Sequence, residues 1–249
     1  NRDIMNLENL TFYVFENIFK ENIQKRSRTV KGVSDTASSS SKKKLLLEGD
    51  SLSKQVEENT QILIDSIWRN HDTLFLTPEK ICATMEMWHS LNNYNLQNPQ
   101  SYQEDLKNLE LISNQLRLKY GRNYRINPKY RTWKVSYTTL NIQPIDLEFY
   151  MDEFYLNLSQ MILKAVRYKI GKAHLLAFAD LMIDGEIHPW NDACGRSATA
   201  AVMCLSLLVD PKEIPIFGER NEHHKSIHDL QEHTAYFEKC LDAFYSYEC

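Results

Sequence analysis

Apolar positions along this chain recur mostly at helical spacing, every third or fourth residue, and one stretch breaks from that rhythm. In residues 4–24, Ile4, Leu7, Leu10, Phe15 and Ile18 fall close to one face of a helix. Residues 26–50 lose the pattern: their centre is rich in Ser and Lys and cannot bury much surface, which predicts a flexible linker or long loop, with Lys42–Lys44 as a solvated spacer. Helical spacing returns from residue 53 and runs through 61–68. Thr77 followed by Pro78 is a helix start, with Thr77 as N-cap and Pro78 in the first turn, and residues 79–92 and 103–119 are further helices.

The exception is 120–143. Gly121, Asn127 and Pro128 break a helix, and the β-branched and aromatic residues after them predict a short hairpin over 132–142. Pro144 ends it, and helix resumes over 146–164. With seven Gly and seven Pro in 249 residues, breakers are too few for a sandwich or barrel, so the fold class is mostly α. The expected organisation is an N-terminal helix in 1–25, a linker in 26–52 and one domain in 53–249.

Charge and cysteine usage narrow the partners. A net charge of −4 argues against nucleic acid. The longest near-apolar stretch, 198–209, is too short to cross a bilayer, and the start shows no Sec-type leader pattern. Five cysteines without a CxxC read as free thiols, which suits a cytoplasmic setting, either of the producing cell or of a host cell.

The chemistry concentrates in residues 172–208. Leu175, Phe178, Ala179, Met182 and Ile183 share one helix face; then come His188 and Pro189, a loop, and a second apolar helix with Ala198, Val202 and Leu205. The loop therefore ends at a helix N-terminus, where free N–H groups favour an anion. His188 is a candidate base, Asp192 a candidate Mg²⁺ ligand, and Arg196 with the main chain of 193–196 a candidate phosphate cradle. By spacing alone, a structural loop with a buried histidine and a capping aspartate fits equally well.

The string HPWNDACGRSAT resembles the signature HPFx(D/E)GNGRxxR of the Fic (filamentation-induced-by-cAMP) domain family. His188, Pro189, Asp192, Gly195 and Arg196 match, and Trp190 replaces the phenylalanine. The resemblance extends over 53–244. It implies a Fic-type helical fold with a short β-hairpin flap, in which Lys134, Val135, Ser136 and Tyr137 position the target. It implies a transferase that moves AMP from ATP, with Mg²⁺ or Mn²⁺, to a Ser, Thr or Tyr hydroxyl of a partner protein. His188 would be the base, Asp192 the metal ligand, and Ala193, Cys194, Gly195, Arg196 and Thr199 the phosphate-binding set. Ser53 and Glu57 match the inhibitory motif (S/T)xxxE(G/N), so residues 53–63 would form an inhibitory helix with Glu57 as the obstructing carboxylate.

The chain departs from the signature at three positions. Ala193 replaces a loop glycine, Cys194 an asparagine and Thr199 the second arginine, the usual partner of the inhibitory glutamate. These changes leave open another donor (UTP, CDP-choline or the γ-phosphate of ATP) or a catalytically dead binding module. Two lesser candidates are His224 with His228 at i and i+4 as a metal pair, and Cys194 as a nucleophile whose pKa the helix terminus lowers.

Overall fold

The computed structural model describes residues 10–26, 49–96, 107, 110, 111, 113–115, 117–119, 127, 129–131, 135, 138–168 and 171–248. The described chain is mostly helical, and no strand forms among the described residues. The elements are α1 (Phe12–Arg26), α2 (Gly49–Leu74), α3 (Pro78–Asn92), α4 (Leu147–Tyr168), α5 (Lys172–Asp180) running into a π-turn (Leu181–Glu186), α6 (Cys194–Val209), α7 (Arg220–Ser226) and α8 (Leu230–Ala243). Most of the expected linker lies outside the described residues, and α2 begins at Gly49 rather than 53. Of the expected hairpin, 132–134, 136 and 137 lie outside the described residues; this takes in Lys134, Ser136 and Tyr137. Val135 is described and buried.

Helix α6 is the axis of the molecule. Ala198, Ala200, Ala201, Val202, Met203 and Leu205 are all 0% exposed, so α6 is buried on nearly every side, as a central helix must be. Helices α1, α2, α3, α4 and α5 pack against it, and α8 covers α5. Its polar side chains are buried too, and each finds a partner. Thr199 Oγ1 donates to Gly195 O (2.8 Å), Ser206 Oγ donates to Glu213 O (3.1 Å), and Ser197 Oγ accepts from Asn92 Nδ2 (3.2 Å).

The sequence signals explain several boundaries. Thr77 caps α3 by accepting from Lys80 N, with Pro78 behind it. Pro144–Asp146 forms a 3-10 turn that leads into α4. Helix α1 enters the same hydrophobic core as α6 through Val14, Phe15, Ile18, Phe19 and Ile23. Its polar end is tied down across the chain: fully buried Asn22 donates to Pro215 O and accepts from Phe217 N (both 2.9 Å), while Lys25 Nζ donates to Phe217 O (2.7 Å). Among the described residues no helix is long and apolar enough to cross a membrane.

Candidate functional site

The π-turn at the end of α5 delivers the chain to the signature loop. Its wide winding is closed by Ile187 N donating to Met182 O (2.8 Å). Gly185 is required there, because a Cβ would lie 2.6 Å from Ile227 O and 2.9 Å from Ile227 Cγ1. Two non-glycine residues then adopt left-handed backbone, His188 at φ 47° and Ala193 at φ 64°. Each such residue costs on the order of 1–3 kcal/mol and persists only where its surroundings over-determine it. Ala193, standing where the signature has glycine, occupies the N-cap of α6 with no side-chain capping bond.

His188 is over-determined from two sides. Its Nδ1 lies 3.1 Å from Asp184 O. A carbonyl only accepts, so Nδ1 carries the proton and Nε2 is the basic nitrogen of the neutral ring. Asp184 Oδ1 stands 3.8 Å from the same Nδ1. From the other side, Arg131 Nε donates to His188 O and Arg131 N donates to Pro189 O, both 2.7 Å. The His188 side chain is 18% exposed.

The rest of the predicted set divides. The Asp192 side chain is 35% exposed and gives Oδ2 to Arg196 Nη2 at 3.4 Å. The Arg196 side chain is only 2% exposed, and its Nη1 donates to Asn92 O (2.5 Å) at the end of α3. Burial lowers the guanidinium from its usual value, against the pull of Asp192. Thr199 points into the core, where its hydroxyl bonds back to Gly195 O. Cys194 is buried with Sγ directed at Trp190 O (3.5 Å), and burial pushes its thiol well above the usual range. Burial and the nearby Asp184 carboxylate thus act opposite to the lowering expected of a thiol at a helix terminus.

Glu57 lies exposed on α2 in a groove shared with Lys20, Ile23 and Gln24 of α1. Its side chain forms no hydrogen bond or ion pair among the described residues. The His224–His228 pair is engaged elsewhere. His224 Nε2 accepts from Arg220 Nε (2.9 Å), and His228 Nδ1 meets Glu186 Oε1 (2.8 Å).

Beneath the loop sits a charged hub that the sequence reading missed. Asp180, 0% exposed, accepts from Arg26 through Oδ1. Its Oδ2 accepts from His223 Nε2 (2.7 Å) and His233 Nε2 (2.6 Å). Arg26 Nη2 also donates to Asp184 Oδ2 (2.9 Å), and His233 Nδ1 meets Ser226 Oγ (2.8 Å). Burial pushes the Asp180 carboxyl up, yet Arg26 and His223 outweigh it and hold the group well below the usual carboxylate range. Asp180, His223 and His233 present metal-ligand atoms within 4.8 Å of one another. Donors of a tetrahedral Zn²⁺ at about 2.0–2.1 Å stand about 3.3 Å apart. The separations of 2.6 and 2.7 Å here are hydrogen-bond distances, and Arg26 already holds the other oxygen. The hub reaches the loop directly: a Cβ on Gly195 would lie 3.6 Å from Arg26 Nε and 3.7 Å from Asp184 Oδ1.

No known protein family, curated protein or solved structure matches the chain. The site must therefore be judged on its own chemistry.

Proposed function

We propose that the chain is a protein nucleotidyltransferase of the Fic type, moving AMP from ATP to a Ser, Thr or Tyr hydroxyl of a partner protein. The observation that carries this reading is the 3.1 Å approach of His188 Nδ1 to Asp184 O, which assigns the ring proton to Nδ1. With Nδ1–H committed to Asp184 O and the Asp184 carboxylate behind it, Nε2 is prepared to take a proton. The partner's hydroxyl oxygen bonds to the α-phosphorus, its proton passes to His188 Nε2, and the bond to the bridging oxygen breaks to release pyrophosphate.

Asp192 suits a hard cation: it is partly exposed, and Arg196 occupies only one of its two oxygens. Mg²⁺ held there would neutralise charge on the transferring phosphate. The first-turn N–H groups of α6 would receive the phosphate oxygens. Arg196 acts through Asp192 and Asn92 O, bracing the loop from behind.

A second reading has its own support. Cys194, Arg196 and Thr199 are buried and bonded inward, which leaves few side chains to grip a triphosphate. A non-catalytic nucleotide-binding module would need no more than the helix terminus and Asp192.

One assay separates the two. Parent, His188→Ala and Glu57→Gly are incubated with cell lysate, Mg²⁺ and, in parallel, ATP, UTP or GTP labelled at the α-phosphate, or CDP-choline labelled on choline. A labelled protein band that vanishes in His188→Ala supports the transferase and names its donor. A stronger band in Glu57→Gly makes Glu57 inhibitory. Nucleotide binding without any label, including from γ-labelled ATP, selects the binding module.

A further inference from the structure

We propose that Arg131 and Glu186 are positioning residues that clamp the two ends of segment 131–142 onto the turn carrying His188. Arg131 holds the base in its left-handed backbone. The proposal deepens the transferase reading and rests on it for the kinetic part of its test.

Arg131 is 0% exposed and among the largest fully buried side chains of the molecule. Its Nε donates to His188 O (2.7 Å), and its Nη2 donates to Ile187 O (3.2 Å) and Ile142 O (2.9 Å). Its own main-chain N–H donates to Pro189 O (2.7 Å). One residue therefore grips three successive carbonyls, those of 187, 188 and 189, and ties them to Ile142 at the far end of its own segment. A planar fork with several fixed donors can do this, whereas an ammonium acts as a single point. Desolvating a guanidinium is costly, and here that cost secures the strained turn at φ 47°.

The second point of the clamp is Glu186, two residues before His188 and 3% exposed. Its Oε2 accepts from Thr139 N (3.0 Å), Thr139 Oγ1 (2.8 Å) and Leu140 N (3.0 Å). Its Oε1 faces His228 Nδ1 (2.8 Å). Burial pushes this carboxyl up, but the hydrogen bonds from Thr139 and His228 outweigh it and keep the group on the ionised side of its usual value. Segment 131–142 is thus fastened at Arg131 and at 139–142, and both fasteners end on residues 186–189. An ordinary solvated loop has no reason to bury an arginine and a glutamate for this purpose.

The test compares parent with Arg131→Lys, Arg131→Met, Glu186→Gln and Glu186→Ala. Amide hydrogen exchange is read over 138–142 and 186–190, with 230–243 in α8 as the fold control. Transfer kinetics are measured on the donor that labels the parent. Expected in Arg131→Lys is exchange about tenfold faster over 186–190 with 230–243 unchanged. With it comes a fall in kcat approaching the roughly 100-fold cost of a 1 Å misplacement, at unchanged KM for the nucleotide. Glu186→Ala should speed exchange over 138–142, and Glu186→Gln, which keeps an acceptor oxygen, should restore most of the protection. If Arg131→Met does not fold, Arg131→Lys decides. Parent-like exchange in the Arg131 variants overturns the clamp, as does a raised nucleotide KM at constant kcat. If the parent transfers nothing, the transferase reading fails, and exchange alone decides whether the clamp exists.

Discussion

His188 pairs a backbone angle that few non-glycine residues adopt with a side chain committed through Nδ1, so backbone and ring orientation are fixed together. The same angular region gives a simple stability test at Gly171. It stands at φ 73° before α5, and a Cβ there would meet nothing within 4 Å. Gly171→Ala therefore adds only backbone strain, and a loss of about 1 kcal/mol is expected in chemical denaturation. Cys194 gives a second residue-scale prediction. Buried, with its thiol pushed well up, it should stay unmodified by iodoacetamide at pH 8 in the native protein and react once unfolded, as mass mapping would show. Its neighbours mark the limit of reading single positions. The loop before α6 and the apolar helices on either side of it were legible because a breaker-rich stretch between two apolar runs leaves little freedom. Thr199 was not, because a threonine in a helix can bond four residues back instead of facing a site, and sequence does not distinguish the two.

At the scale of elements, α1 and the α5–α6 unit are joined by Arg26. Its guanidinium bonds Asp180 and Asp184, so Arg26→Met leaves two carboxylates buried without their cation. The expected cost is about 3–5 kcal/mol, read as a lower denaturation midpoint. Asp180→Asn added to Arg26→Met should cost at least about 1 kcal/mol less than the sum of the two singles, because both remove one coupled interaction. This junction was invisible in the sequence, since Arg26 lies 154 positions from Asp180, and His233 lies 53 positions from it. Arg26 also closes a helix whose other polar residues suggest a solvated face. The mostly α class and the helix start at Thr77 and Pro78 were readable from local chemistry. Arg131, placed at the edge of an expected hairpin, instead reaches across to the signature loop.

Across the whole molecule the shifted groups act in one direction on acidification. Burial pushes His89 down to about 4, and burial also lowers His223. A histidine lowered in the fold contributes stability that is complete above its unfolded value of about 6.5 and is lost as pH falls towards the folded one. Asp180, Asp184 and Glu186 are likewise lowered, so their contributions are present above about 4 and lost as pH falls through their folded values. Denaturation midpoints should therefore decline between pH 6.5 and 4 and fall further below 4. In His89→Phe, which keeps a ring against Trp190, the decline between 6.5 and 4 should shrink by about 2 kcal/mol, discounted for partial exposure.

The cross-chain bonds of Asn22 and Lys25 have a practical consequence for trimming. Residues 53–244 are not expected to fold by themselves, because α1 fills part of the shared core. A recombinant product cut back to residue 53 is expected to be recovered as insoluble aggregate. Refolding it in the presence of a synthetic peptide spanning 10–26 should rescue a soluble complex, much as the two pieces of a split protein reassemble.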